Sequence, residues 1–236
     1  MKQKIKKINQ LLVRHYGIPK RNKKLPDPVD MLIGTILSQN TNDKNSYRAF
    51  NNLKNKFGNW EEVSRQPASK IEEEIKVAGL GKQKSRSIKN ALTSLKKNNG
   101  SISLNKLKKM ENNDILKQLT AYDGVGVKTA SCVLLFSLDR NVCPVDTHVH
   151  RTLNRIGIVK QSSPDKTFNE INSKLPDGIA HQFHTNLIRL GREICKAAKP
   201  NCTACPLLKI CEYDEKNLDD VKTVKKNDFM LLDNIK

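Results

Sequence analysis

Residues 119–135 read LTAYDGVGVKTASCVLL, two apolar runs around a short loop in which Gly124 and Gly126 flank Val125 and Lys128 follows closely. Three readings compete for such a loop: a nucleotide cradle, a grip on a nucleic-acid backbone, and a plain turn between helices. A Walker-type phosphate loop places a glycine directly before its lysine and follows a strand. Here Val127 stands in that place, and a helical pattern, NNDILKQLTAY, comes before. The dinucleotide fingerprint lacks its third glycine and its strand. The two glycines can instead take positive φ and bring backbone N–H groups, with the start of the next helix, around a phosphate. Contacts of that kind position a protein and carry no base information. A glycine turn between packed helices stays open on these residues alone.

The rest of the chain favours the nucleic-acid reading. The 236 residues carry 43 Lys+Arg against 24 Asp+Glu, a formal net charge of +19. The excess is concentrated: MKQKIKKINQLLVRHYGIPKRNKK (1–24) and KQKSRSIKNALTSLKK (82–97) are basic and contain no acid. Long acid-free basic segments build a field that attracts polyanions. Lysines interrupt every apolar run near the amino terminus, so no signal-peptide core forms, and no stretch approaches the ~20 apolar residues of a membrane span. Six cysteines without a secretory signal argue against a disulfide framework and towards metal ligands or free thiols. An intracellular protein is expected, with no membrane partner.

Helical periodicity dominates, and the fold class expected is all-α. Asp27 and Pro28 open DPVDMLIGTILSQ as a cap and a first-turn proline, and Gly58 closes DKNSYRAFNNLKNKF. Further helices are expected around WEEVSRQ, ASKIEEEIKVAG, Gln83 to Lys97, KTASCVLLFSL, DTHVHRTLNRIG, DKTFNEINSKL and QFHTNLIRLGREIC. No alternating β-branched run is bounded by turns well enough to be a strand.

The segment CKAAKPNCTACPLLKIC places Cys195, Cys202, Cys205 and Cys211 within seventeen residues, separated by six, two and five. Pro200, Asn201 and Pro206 allow the chain to loop tightly between them. Tetrahedral zinc is one reading, although zinc ribbons usually pair two C-x-x-C knuckles and only one occurs here. A compact set of four thiols after a helix suits a cubane iron–sulfur cluster.

The cysteine spacing, the GVGVKTA hairpin upstream and the VDTH motif between them resemble endonuclease III, of the helix–hairpin–helix DNA glycosylase superfamily. The resemblance runs from about Asp27 to Tyr213. It implies a two-domain architecture: a six-helix barrel over residues 25–138 carrying the hairpin, and a discontinuous iron–sulfur cluster domain from residues 1–24 and 139–213. Residues 214–236 are expected to form a carboxyl-terminal tail. The implied cofactor is a [4Fe-4S] cluster on Cys195, Cys202, Cys205 and Cys211, shaping a basic loop that grips DNA.

The implied activity is that of a bifunctional DNA glycosylase and AP lyase of base excision repair. The implied partner is double-stranded DNA containing a damaged base or an abasic site, bound by a monomer. Lys128, in the first turn of the outgoing helix where the dipole disfavours its charge, would be the nucleophile, with β-elimination following through a Schiff base. Asp146, by itself a helix N-cap candidate, would assist departure of the base from a pocket near the cleft between domains. His148 and His150, two residues apart on one helix, do not share a face and are read as structural or DNA-proximal. Gly124, Val125 and Gly126 would hold the backbone. Asn40 falls at the gap-filling position, with Gln39 beside it also expected to bind DNA, and Leu80 falls at the apolar wedge. Endonuclease III typically has glutamine where Asn40 stands, whereas asparagine is reminiscent of the plant 5-methylcytosine glycosylases. Oxidised pyrimidine is the default substrate, and methylated, alkylated or mismatched bases are the alternative. A non-catalytic helix–hairpin–helix DNA-binding protein is the rival from another class.

Overall fold

The computed structural model describes residues 1–21, 23–219 and 231–235. All regular structure among them is helical, and the chain divides into two compact units, Met1–Arg21 with Asn141–Asp228, and Asn22–Arg140 with Phe229–Lys236.

The second unit is built around α2 (Pro28–Leu37), every residue of which is buried. A helix that is apolar on nearly all sides belongs in a core. Its start is fixed by Asp27, whose Oδ1 accepts from the Val29 N–H at 2.8 Å, with Pro28 at the first position. An acidic charge enters this core. Asp30 accepts from Trp60 Nε1 at 2.6 Å and pairs with Lys54 Nζ at 2.6 Å, while Lys54 also lies over the Trp60 ring. Both carboxylate partners are needed, because a buried charge left unpaired is costly. Around α2 stand α3 (Asp43–Phe57), α4 (Trp60–Arg65), α5 (Ala68–Ile75) and α6 (Gly81–Asn99). Next come α7 (Asn112–Thr120) and α8 (Val127–Cys132), which runs on as a π-helical turn over Val133–Ser137.

The expected tail, 214–236, lies outside the described residues at 220–230 and 236. Inside it, Leu231–Asn234 forms α12, and the Leu231 N–H reaches Asp43 Oδ2 at 3.2 Å. Ile235 is buried, and a Cβ on Gly34 of α2 would come within 2.2 Å of its Cδ1. Glycine at position 34 is what lets this side chain seat on α2.

In the other unit α1 (Lys2–Tyr16) buries Ile5, Ile8 and Leu12, the stripe of an amphipathic helix. It is joined by α9 (Thr147–Ile156), α10 (Pro164–Asn172) and α11 (Ala180–Glu193). A close approach of α9 and α11 depends on Gly191, where a Cβ would meet His148 Cβ at 2.8 Å.

The all-α expectation holds, but the expected iron–sulfur domain does not. Residues 194–213 form a loop attached to α9 by two arginines. Arg151 donates to the carbonyls of Gly191 and Cys195, and Arg155 to those of Lys196 and Ala197, with its guanidinium over the Tyr213 ring. Hydrogen bonds to the backbone organise this loop, and no metal-binding subdomain is found among the described residues.

Ile235→Ala should cost about 2–5 kcal/mol, the range for emptying an aliphatic site in a closed core. Urea denaturation checks this, and an unchanged midpoint would show that the terminal segment does not seal α2.

Candidate active site and nucleic-acid interface

Three segments of the second unit meet at the end of α2. The first is the turn Ser38–Gln39–Asn40. Ser38 caps α2, its Oγ donating to Thr35 O at 2.8 Å, and Asn40 is exposed with φ 49°, in the left-handed region. The second is the turn before α6, where Leu80 has φ 50° and ψ 36° and is 48% exposed. Left-handed backbone costs a non-glycine residue roughly 1–2 kcal/mol. Strain of this kind persists where the surroundings enforce it. The two residues placed by sequence at the gap and the wedge are both held in this way and both face solvent.

The third segment is the hairpin between α7 and α8. Gly124 takes φ 75°, and a Cβ there would strike Ser87 Oγ of α6 at 2.2 Å. Gly126 instead has φ −90° and ψ 177°, ordinary extended backbone, and space for a Cβ is open. Only one of the two glycines therefore takes positive φ, and the second keeps a surface free of side chain. Val125 is buried, so its side chain anchors the hairpin and leaves only backbone outside.

Side chains join these segments. Gln39 Nε2 donates to Gly124 O at 3.2 Å, which makes Gln39 a brace between the α2 turn and the hairpin. Lys128, second residue of α8 and partly exposed, has its Nζ 3.5 Å from Ser38 Oγ, at the outer limit of a hydrogen bond. The strongest link is Lys84. It is 1% exposed, and its Nζ donates to Leu37 O and Ala78 O, each at 2.8 Å. Leu37 O is one of the unsatisfied carbonyls at the negative end of α2, a favourable place for an ammonium.

Lys84 was not recognisable as a site residue within an acid-free basic run read as a polyanion attractor. Three of the six basic residues in that run are used internally: Lys84 as above, Lys89 on Ser64 O, and Lys96 on Glu61 at 2.9 Å. A signal was present. Lys84, Ile88, Ala91 and Leu95 recur at helical spacing on the buried face of α6.

The Asn141–Asp228 part of the other unit carries the remaining predicted residues. Asp146 is the N-cap of α9, Oδ1 accepting from the Val149 N–H at 2.8 Å, and it is partly exposed. A cap uses one carboxylate oxygen and leaves a second for chemistry. His150 Nδ1 pairs with Thr167 Oγ1 at 2.8 Å. His148 Nδ1 lies 3.2 Å from Arg151, and burial lowers its pKa, opposed in part by the Asp146 carboxylate.

The expectation of a [4Fe-4S] cluster is overturned. Among the described residues no group of three or more Cys, His, Asp or Glu side chains is arranged to hold a metal ion. Cys195, Cys202, Cys205 and Cys211 are free cysteines, and two of the thiols are engaged by Arg155: Cys195 Sγ accepts from its guanidinium at 3.7 Å, and Cys211 Sγ donates to its carbonyl at 3.3 Å. Burial pushes the Cys205 thiol up to about 12, with the other three thiols adding to the shift, and burial also raises Cys211. No three of these thiols are arranged to share one metal ion. The residues do not fit the group, and metal binding is withdrawn with it.

Burial pushes Lys84 down from 10.5 to about 8. The unfolded chain then binds more protons than the folded one across pH 8–10.5, so the stability that depends on Lys84 rises with pH through that window. In urea denaturation the gap between the natural protein and Lys84→Met should widen by up to about 1 kcal/mol per pH unit. A gap that is flat or narrows would contradict the assignment.

Comparison with known proteins agrees with this geometry. The family model of the HhH-GPD superfamily base excision DNA repair proteins matches residues 33–177. A protein of Arabidopsis thaliana that carries the name of a DNA glycosylase is 37% identical over 188 residues, which cover 79% of this chain and 64% of that one. Endonuclease III of Thermotoga maritima is 32% identical over 194 residues, covering 82% of this chain and 86% of that protein. Among solved structures, a trapped endonuclease III–DNA covalent intermediate superposes with a TM-score of 0.74 at 25% identity, covering 89% of this chain and 95% of that one. The chain belongs to the HhH-GPD superfamily of base excision DNA repair proteins, among its endonuclease III-like DNA glycosylase/AP lyases.

Proposed function

We propose that the protein binds double-stranded DNA at a damaged base or abasic site, removes the base with Lys128 as nucleophile, and cuts the strand by β-elimination. The observation that carries this reading is the position of Lys128. It follows the hairpin by two residues, and its Nζ reaches Ser38 in the turn that presents Asn40. These contacts support a reading in which strand grip, base replacement and attack share the end of α2.

A base inside a duplex cannot be reached, so it must leave the stack and its place must be filled. Asn40 fills the gap and Leu80 wedges the stack, an insertion for which an exposed leucine is suited. The backbone of the Gly124–Gly126 hairpin holds a phosphate of the same strand, with the Val125 N–H itself closing the turn on Tyr122 O at 3.1 Å. The neutral Lys128 amine forms a bond to the sugar C1′ as the bond to the base breaks, and the base leaves with a proton. Ring opening gives the iminium. Loss of a C2′ proton then expels the 3′ phosphate. Asp146 helps the base depart, by taking a proton from the lysine or by stabilising positive charge on the sugar.

The substrate proposed first is an oxidised pyrimidine. Asparagine at position 40, where endonuclease III typically has glutamine, keeps methylated, alkylated and mismatched bases as the alternative class. A panel of duplexes varying the lesion and the opposite base separates these, through the ratio of kcat/KM values.

Borohydride reduction on an abasic duplex should trap a covalent adduct with the natural protein and none with Lys128→Ala. Retained tight binding without any adduct from the natural protein would leave only a binding module. Asp146→Asn should keep α9 capped, since asparagine caps as well as aspartate. It should slow base excision by about 10²–10⁴-fold; an unchanged rate would reduce Asp146 to a cap. Gly126→Ala should fold normally and weaken duplex binding, because its methyl enters the open surface left for the strand. Unchanged affinity would move the phosphate contact elsewhere.

A further inference from the structure

The two residues that enter the DNA stack in the proposed reading lie on separate segments, one after α2 and one before α6. Each has left-handed backbone without being glycine. Asparagine tolerates that backbone and leucine does not, so Leu80 in particular must be held, and held in register with Asn40. Lys84 makes contacts suited to that task. Its Nζ takes the carbonyl of Leu37, three residues before Asn40, and the carbonyl of Ala78, two residues before Leu80. Its own backbone N–H closes on Leu80 O at 2.9 Å, so Leu80 is fixed from both sides by one residue. Ser46 Oγ supports the Leu37 carbonyl from α3 at 3.3 Å.

We propose that Lys84 is a positioning residue for base extrusion: its buried ammonium clamps the Asn40 and Leu80 turns together, so that gap-filler and wedge enter the duplex as one preformed unit. The inference rests on the assignment of Asn40 and Leu80 to those roles. Lys84 itself is buried and touches no nucleotide. Its effect is on geometry, where a displacement of about 1 Å can cost a hundredfold in rate. Two features favour a lysine here. A flexible stem reaches two carbonyls from one helix position, and a three-donor head serves both with one N–H to spare. Methionine has similar length and no donor, and would leave Leu37 O with only the longer Ser46 bond and take away the Lys84 bond to Ala78 O.

The test uses a duplex with a tetrahydrofuran abasic analogue opposite 2-aminopurine, whose fluorescence rises when the stack around it opens. The natural protein should produce the rise, and Leu80→Ala should lose most of it. Lys84→Met should lose the rise to a similar extent and weaken duplex affinity on the order of tenfold. The double variant should be no worse than Leu80→Ala, because the two act through one element. Lys89→Met, on the same helix and bonded to Ser64 O, should leave the signal unchanged. If Lys84→Met does not fold, Gly79→Ala disturbs the Ala78 carbonyl from its other side. Gly79 has φ 68° and open space for a Cβ, so strain is confined to that turn, and the same loss is expected. Normal stack opening in folded Lys84→Met or in Gly79→Ala, or losses that multiply with those of Leu80→Ala, overturns the clamp while leaving the wedge intact. A full rise with Leu80→Ala overturns the wedge assignment, and the clamp with it.

Discussion

One buried ammonium ties together most of what this structure offers to DNA. Lys84 Nζ sits between the carbonyls of Leu37 and Ala78, with almost no solvent access. A charge so placed is tolerated because its two hydrogen bonds are charge-assisted and the negative end of the α2 dipole faces it. The depressed pKa shows that burial still disfavours the charge. The neutral amine would retain two N–H groups, enough for both carbonyls, so the tie survives deprotonation. The Asn40 turn, the Leu80 turn and, through Gln39, the Gly124 hairpin are held in one arrangement.

That arrangement explains why the chemistry falls where it does. An exposed leucine in left-handed backbone is poor design for stability alone and sensible where an apolar side chain must be offered to a base stack. The hairpin shows the same division. Gly124 serves the fold by allowing close approach to Ser87, and Gly126 leaves outer surface clear for a strand. Lys128 follows on a helix whose remaining residues, Thr129 to Cys132, are buried, so the proposed nucleophile stands on a rigid support. In the proposed reading of the GVGVKT loop, holding and attacking are adjacent tasks of one element.

Much of this was legible in the sequence, because it depends on local rules. Asp27 and Pro28 start α2, Gly58 ends α3, and Asp146 caps α9, each by interactions spanning a few residues. What depended on distant partners was not legible. Lys84 lies in a run of positive charge, and only its register with Ile88 and Leu95 hinted that it points inward. Gln39 was expected to bind DNA beside Asn40, and nothing local announced its bond to the carbonyl of Gly124, eighty-five residues away. Ile235 sits in a tail read as charged, although FMLLDNI at 229–235 carries an apolar run. The cysteines failed in the opposite direction. Their density suggested convergence on a metal, but spacing does not reveal hydrogen-bond partners, and Arg155 takes up Cys195 and Cys211.

The central claim is that one lysine among many is the nucleophile, placed there by the hairpin. Reducing the complex with an abasic duplex by borohydride, digesting it and locating the sugar remnant by mass spectrometry tests this most directly. The account predicts the remnant on Lys128 and on no other lysine. A remnant on a different lysine or on the amino terminus would contradict it.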